Sequence, residues 1–267
     1  MSDLVPRTAT HRAIVTTAWA AAGVVAVSSV AMGWGSLGGA GGVLNTATRG
    51  ERTTEVLDAV TSVAVTTDAV DVHVRYDGID RPRLVERDLP EGGLSYRVTD
   101  GQLVVELTDQ PGWRWFSSEQ LTIVLPRSME GSTPDVTLRT TTASLEVDGR
   151  FGTVDLQAET GSIEVDGTFE KVTGRTSTGS IDVRGGAAEV NAETSTGSVD
   201  IHIEGAPPRA VTAQTGTGSV DIAVPRGAYA VDARPGTGSA DVEVAQDSSS
   251  PHRITAVTGT GSIDITD

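Results

Sequence analysis

The sequence predicts an all-β fold built from stacked repeats, and three observations support this prediction. Only 37% of the 267 residues are hydrophobic, and 4 Trp, 3 Tyr and 3 Phe are too few for a thick globular core. The 31 glycines, with many Thr, Ser, Val and Asp residues, favour strands joined by tight turns. A Thr-Gly-Ser triplet also recurs through the second half of the chain. We therefore expect a single-stranded-per-coil β-solenoid, similar to a β-helix, of 18–23-residue repeats preceded by one transmembrane helix.

The repeat consists of the triplet followed by a hydrophobic, an acidic and a second hydrophobic residue. The spacings between successive repeats are 18, 18, 18, 21, 20 and 23 residues, and the regular repeats cover 136–267. This period matches one coil of a β-solenoid, in which each unit buries its apolar face only by stacking on its neighbours. The repeats begin at Thr142 (TASLEV), Thr160 (TGSIEV), Thr178 (TGSIDV), Thr196 (TGSVDI), Thr217 (TGSVDI), Thr237 (TGSADV) and Thr260 (TGSIDI).

In each repeat, mainly apolar residues stand six and four residues before the triplet threonine and three and five residues after it, and we expect these columns to form the core. One straight strand cannot keep both sets on the same face, so we expect the chain to turn a corner at the triplet, with Ser and Thr hydroxyls bonding to turn amides. A looser return loop carrying Gly149, Gly167, Gly185 or Gly205 would complete the unit. A meander of hairpins turning at Thr-Gly is the alternative arrangement. The predicted structural turn residues are Gly161, Gly179, Gly197, Gly218, Gly238 and Gly261, and Ala143 replaces glycine in the first repeat.

The residues from Val56 to Leu125 have the same texture with a weaker phase. The sequence AVDVHV from Ala69 resembles SVDIHI from Ser198, which predicts an early coil continuous with the repeats. We therefore assign 52–267 to one domain. The aromatic segment WRWF from Trp113 is either a plug over the first coil or a patch facing a ligand or membrane.

The N-terminal region contains an apolar segment long enough to cross a bilayer as one helix. It covers 14–37 and follows Arg7, His11 and Arg12, so we expect 1–13 to be cytoplasmic and the C-terminal domain to lie outside the cytoplasm. The anchor would be single-pass in the cell membrane. A cleaved signal peptide and a soluble helix are the alternatives. The Gly/Thr-rich sequence 38–51 predicts a flexible stalk.

The repeated TGSIDV units, GQLVVEL from Gly101 and the strand LTIVLP from Leu121 together resemble the bacterial putative-adhesin domain family of unknown function. The β-solenoid of that family is related to the toastrack domains of envelope-stress proteins. The resemblance covers roughly 56–267 and implies an extracytoplasmic β-solenoid. It supplies no established catalytic residues.

The chain carries a formal net charge of −16 and one lysine, Lys171, which argues against a nucleic-acid partner. In a parallel stack one acidic residue per repeat would form an outward column that is solvated, paired with Arg or bridged by cations. Calcium is the functional interpretation of this column, although one carboxylate per coil is a sparse ligand set. The candidate column comprises Glu146, Glu164, Asp182, Asp200, Asp221, Asp241 and Asp264.

Catalytic motifs are absent from the sequence, which contains no GxSxG, HExxH or Walker loop. The triplet serines recur in phase, as turn chemistry predicts, and an enzyme cutting glycans with paired carboxylates is the remote alternative. We therefore expect no catalytic residue and no cofactor. The predicted function is a membrane-anchored extracytoplasmic binding or adhesion scaffold, with an unknown protein or cell-wall polymer as partner. The alternative is a partner-binding component of an envelope-stress sensing system.

Overall fold

The computed structural model describes residues 50–89, 93–107 and 119–267, and these residues are all-β, as predicted. The predicted transmembrane segment 14–37 and the aromatic segment 113–116 lie outside the described residues. Within the described ranges, no helix is both long and apolar enough to cross a membrane. The elements are β1 (Glu51–Glu55), β2 (Ser62–Thr67), β3 (Asp71–Asp77), β4 (Arg83–Arg87), β5 (Leu94–Thr99), β6 (Gln102–Leu107), β7 (Gln120–Pro126), the 3-10 helix η1 (Arg127–Ser132), β8 (Asp135–Thr142), β9 (Leu145–Thr160), β10 (Ile163–Thr178), β11 (Ile181–Thr196), β12 (Val199–Ile203), β13 (Ala210–Thr217), β14 (Val220–Ala223), β15 (Ala228–Thr237), β16 (Ala240–Val242), β17 (Ala245–Gln246), β18 (Arg253–Thr260) and β19 (Ile263–Thr266).

Successive repeats pair as parallel strands. Leu145 in β9 lies opposite Ile163 in β10, which in turn lies opposite Ile181 in β11, an offset of one repeat at each step. The hairpin meander is therefore wrong for the repeats, because hairpins pair neighbouring strands antiparallel. Pairings between strands join the described elements into a 19-stranded sheet.

The predicted apolar columns form the core. In the repeats from Val136 to Ile222 the positions six and four before the triplet threonine, and three and five after it, are buried. The inward-facing set changes parity at the triplets, where the strands are also interrupted. Ala240 is exposed and Val231, Ala233 and Val242 are only partly buried, because their unit lies at one end of the stack.

The predicted return loops are wrong for the first three repeats. Gly149, Gly167 and Gly185 lie within β9, β10 and β11, and Gly167 pairs with both of the other two. These repeats have equal length, so their return segments remain in register and continue the ladder. The longer fourth repeat contains irregular residues at 204–209, where Gly205 lies. In these repeats the strand pairing of the return segment is therefore interrupted only where a repeat is longer than 18 residues.

The units do not stack in chain order. Strands β18 and β19 lie between β13–β14 and β15–β16: Ile254 is opposite both Val211 and Val231. At the other end β2 and β3 lie between β6–β7 and β8–β9, with Val63 opposite both Leu103 and Val136. At each end of the described stack, the outermost unit therefore lies further from the chain terminus in sequence than the unit that it covers.

The strands before the repeats pair with them, β2 with β8 and β3 with β9. However, the resemblance of AVDVHV to SVDIHI aligns His73 with His202, whereas the structure places His73 opposite Glu146. The true register differs by two residues. A two-residue shift keeps every side chain on its own face, so the apolar pattern cannot detect it.

Antiparallel strands complete this end of the stack. Strand β5 pairs with β6, while β4 pairs with β7 and β1 with β4. Glu86 in β4 is 6% exposed and lies 2.6 Å from a guanidinium nitrogen of Arg52 in β1. This ion pair fixes β1, which follows the predicted stalk, to the rest of the fold.

Candidate binding surface

Seven carboxylates form one column along the outside of the stack. Register pairs each acidic residue with the acidic residue of the next unit, and His73 of β3 lies opposite the first of them. Parallel strands are about 4.8 Å apart, so neighbouring carboxylates have little room to separate. The order along the stack is Glu146, Glu164, Asp182, Asp200, Asp221, Asp264 and Asp241.

Crowding of negative charge shows in the middle of this acidic column. Partial burial raises the pKa of Asp221, and the adjacent carboxylates of Asp200 and Asp264 raise it further. Burial also raises the pKa of Asp182, opposed by the nearby Arg184. The Arg184 guanidinium donates to Asp182 Oδ2 at 2.5 Å and to Glu164 Oε1 at 3.3 Å. One part of the column is therefore paired with arginine.

A shallow depression of ≈ 330 Å³ lies over the same carboxylates. Arginine and histidine side chains adjoin the carboxylates on this surface, so it offers both hydrogen-bond donors and acceptors. Such a surface can bind hydroxyl, amide or amine groups of a ligand, or a hydrated cation. The acidic and basic side chains lining it are Asp182, Arg184, Asp200, His202, Asp221 and Asp264.

A second column consists of the triplet threonines. Each is exposed, and each lies opposite the triplet threonine of the next unit. Their hydroxyl and methyl groups therefore repeat at the spacing of the strands. The members are, in stack order, Thr142, Thr160, Thr178, Thr196, Thr217, Thr260 and Thr237.

The triplet glycines lie at the corners with backbone conformations that side chains rarely adopt. Gly161, Gly179, Gly197, Gly218, Gly238 and Gly261 have φ between 137° and 147°. At Gly179 a Cβ atom would also lie 2.1 Å from the carbonyl oxygen of Gly161 in the adjacent unit. Ala143 is not among the residues with positive φ, so its corner has a different geometry. In the adjacent unit, formed by β2 and β3, the amide of Val70 donates a hydrogen bond to Thr67 Oγ1 at the corresponding corner.

Buried threonines two residues before the triplet were missed by the sequence analysis. The hydroxyls of four of them donate to the carbonyl of the adjacent corner glycine, as Thr176 does to Gly161 at 3.1 Å and Thr194 to Gly179 at 3.0 Å. The hydroxyl of Thr140 donates to the carbonyl of Asp68 instead. The hydroxyls of this column therefore serve carbonyl groups of the adjacent unit and not turn amides. The recurrence of Thr at this position was the available signal, seen at Thr140, Thr176, Thr194, Thr215 and Thr258.

Each described histidine lies beside a carboxylate or a backbone carbonyl and not beside a triplet serine. His202 Nε2 is 3.6 Å from Glu204, and His252 Nδ1 is 2.8 Å from the carbonyl oxygen of Pro208. His73 lies between Glu146 and Asp148, a contact that the sequence analysis also missed. The triplet serines lie at corners, where the hydroxyls of Ser219 and Ser262 are 3.3 Å apart.

Comparison with solved structures identifies the fold. A putative adhesin from Bacteroides fragilis superposes with a TM-score of 0.54 over 82% of this chain and 97% of that one, at 14% sequence identity. A putative adhesin and a putative lipid binding protein, both from Parabacteroides distasonis, give TM-scores of 0.47 and 0.43 at 11% and 12% identity, over 80% and 82% of this chain and 95% and 98% of theirs. No protein-family model and no curated protein sequence matches the chain. The all-β fold of this chain is thus similar to that of the B. fragilis protein.

Proposed function

We propose that the stacked repeats are a β-solenoid that acts as a non-catalytic, membrane-anchored binding or adhesion scaffold outside the cytoplasm. The observation that carries this proposal is the pair of outward columns, one of carboxylates and one of threonines, held in register over seven units. A surface that repeats at a constant interval suits a partner that also repeats. The name of the B. fragilis protein with the same fold, a putative adhesin, agrees with this role.

The partner that fits best is a neutral or amine-bearing polymer, such as a glycan of the cell wall. Threonine hydroxyls exchange hydrogen bonds with sugar hydroxyl and amide groups, while the carboxylates accept bonds from hydroxyl or ammonium groups. The net charge of −16 opposes binding of polyanions. A protein with a repetitive polar surface is the other form that such a partner could take.

Non-catalytic action is supported by the geometry of the serines and histidines. The triplet serines occur once per unit in the same corner position, and the described histidine rings face carboxylates or a backbone carbonyl. A nucleophilic serine needs a base within hydrogen-bond reach. The repeated corner serines therefore act as turn residues in this proposal.

Anchoring by 14–37, with 1–13 in the cytoplasm, 38–51 as a stalk and 52–267 outside, completes the proposed arrangement. Protease added to intact cells stripped of their wall should remove the C-terminal domain while leaving a cytoplasmic marker protein uncut. Full protection of the domain under those conditions would show that the topology is wrong.

Binding is tested by sedimenting the purified protein with insoluble cell-wall material. Replacing Thr160, Thr178 and Thr196 with Ala removes three adjacent hydroxyls from the threonine column and should reduce the bound fraction. Thr153 and Thr168 are also exposed but lie outside that column, so their Ala variants are the control. Equal binding by all variants would contradict the column as the binding surface. If the wild type does not sediment and cross-linking in cells captures a membrane sensor protein, the envelope-stress role replaces the adhesion role.

A further inference from the structure

His73, Glu146 and Asp148 bring three possible metal ligands together on the outer face of the stack. His73 in β3 lies directly opposite Glu146 in β9, and Asp148 is two residues further along β9. Residues two apart in a strand point to the same side of the sheet. Because backbone pairing fixes the register of the two strands, all three side chains share one patch of surface.

The three possible ligands lie close to one another. His73 Nε2 is 2.7 Å from Asp148 Oδ2, and Nδ1 is 3.8 Å from Glu146 Oε2. One ligand atom from each residue lies within 4.8 Å of the other two. The histidine side chain is 18% exposed, whereas the carboxylates are 43% and 41% exposed, so the ring is held in place and the donors stay accessible.

We propose that His73, Glu146 and Asp148 bind a divalent transition-metal ion of the zinc class. An imidazole nitrogen together with two carboxylate oxygens is a ligand set that Zn²⁺ accepts, whereas Ca²⁺ and Mg²⁺ prefer oxygen ligands alone. The histidine is therefore the feature that separates this site from the acidic column, which offers only carboxylates.

Two carboxylate side chains must adjust for the three residues to share one ion. Two ligands of a tetrahedral zinc ion lie about 3.4 Å apart at bond lengths of about 2.0–2.1 Å. Nε2 and the Asp148 oxygen must therefore separate by about 0.7 Å, which side-chain rotation can supply, and the ion replaces the hydrogen bond between them. The carboxylate of Glu146 lies beside Nδ1, so the longer side chain of Glu146 must rotate toward Nε2 to join the ion. The remaining position would be open to water or to a ligand group, which is typical of accessible zinc sites.

The surrounding charge favours a cation. Glu164 and Asp166 of the next unit lie opposite Glu146 and Asp148 in the register. These carboxylates raise the local concentration of cations near the three ligands. The site also connects two units whose ligands are 73 residues apart in the chain, so bound metal should stabilise the stack by linkage. This proposal holds whether or not the outer surface binds a polymer.

The test is calorimetric titration of ZnCl₂ into the full-length protein, purified without a polyhistidine tag and freed of metal by a chelator, together with thermal melts. We expect saturable binding that raises the melting temperature. Loss of an outer-shell partner of a metal ligand typically weakens binding 10–100-fold, so His73→Gln should weaken it by at least about tenfold and abolish the thermal shift. Asp148→Asn should act in the same direction, which guards against a folding defect specific to one variant.

The matched control is His202→Gln, because His202 is exposed on the same outer surface and faces the carboxylate of Glu204. This variant should bind zinc as the wild type does, and CaCl₂ should not compete with zinc. The proposal is overturned if the wild type binds no zinc, if His73→Gln binds it equally well, if His202→Gln weakens it as much, or if calcium displaces it at equal concentration. The last result would indicate binding by carboxylates alone.

Discussion

Replacement of a corner glycine tests the packing between units most directly. Gly179 has a φ of 146°, a conformation essentially restricted to glycine, and non-glycine residues held in such regions cost about 1–3 kcal/mol. A Cβ atom there would lie 2.1 Å from the carbonyl oxygen of Gly161, far below the 3.0 Å that real Cβ atoms respect. The obstacle is backbone of the neighbouring unit, so it cannot rotate away as a side chain could.

The expected cost of Gly179→Ala adds backbone strain to the loss of a hydrogen bond. The carbonyl of Gly161 accepts the hydroxyl of buried Thr176 at 3.1 Å, and moving that carbonyl to relieve the clash weakens the bond. Such a bond contributes about 1 kcal/mol, so the total destabilisation should be about 2–4 kcal/mol. In a domain of this size 1 kcal/mol corresponds to about 2–4 °C, which predicts a melting temperature lower by about 4–16 °C.

Gly186→Ala in the same repeat is the matched control. Gly186 does not have a positive φ, the nearest atom to its added Cβ would be 3.6 Å away, and Thr168 occupies the corresponding position of the adjacent unit. Thermal melts followed by circular dichroism should show this variant close to the wild type. If Gly179→Ala melts within about 1 °C of the wild type, or if both variants fall equally, the corner packing described above is wrong.

Three further substitutions test the surface and the end of the stack. Asp221→Asn relieves two adjacent repulsions of roughly 1 kcal/mol each and should stabilise the protein in low-salt melts at pH 7, more than Asp241→Asn at the column end with one neighbour. The pKa of Asp221 is raised in the folded state, so the ionised carboxylate destabilises the protein above that pKa. The stability gained by Asp221→Asn should therefore shrink as the pH falls through the folded-state pKa toward the unfolded-state pKa. It should also shrink in 1 M salt. Arg52→Met leaves the buried carboxylate of Glu86 without this partner and should cost about 2 kcal/mol in urea denaturation. Thr176→Val removes a buried hydroxyl donor and should cost about 1 kcal/mol in the same assay.

Controls for these substitutions lie nearby. Arg83 pairs with Glu55 between the same strands as Arg52 and Glu86, but both side chains are well exposed, so Arg83→Met should cost less than about 1 kcal/mol. Thr178 is exposed on the same strand as Thr176, and Thr178→Val should leave the free energy of unfolding nearly unchanged. If either control matched its buried counterpart, burial would not explain the effect. Unchanged stability of Asp221→Asn at every pH and salt concentration would contradict repulsion in the column.

The core could be predicted from the sequence because the repeat and the pleat of a strand act together. A period of two residues within strands and a constant offset between repeats leave one arrangement that buries Val154, Leu156, Ile163 and Val165 at once. The change of parity at the triplet then required a corner. Glycine at that corner follows from the close approach of the adjacent unit, which the sequence indicates only by its recurrence.

The cluster of His73, Glu146 and Asp148 could not be predicted in the same way. Glu146 belongs to a repeating column, but His73 lies in a strand with a weak phase, and its apparent alignment with His202 is shifted by two residues. Hydrophobic pattern fixes which face a side chain takes, whereas contact with Glu146 and Asp148 depends on the position along the strand. Only the pairing of β3 with β9 determines that position.

The sequence contains a signal for the order of the units that is separate from its hydrophobic pattern. All units present the same columns, so hydrophobic pattern permits any of them to stack on any other. The unit of β15 and β16 nevertheless carries Pro235 where five other repeats have a buried threonine, and Ala240 where the others have Leu, Val or Ile. Proline lacks an N–H for the ladder and is confined to edge strands, and Ala exposes little apolar surface. Arg234 and Asp232 add charge to the same edge, which discourages pairing with another chain. These substitutions suit an outermost unit, and β18 and β19, whose Ile254, Ile263 and Ile265 need burial on both sides, take the inner place.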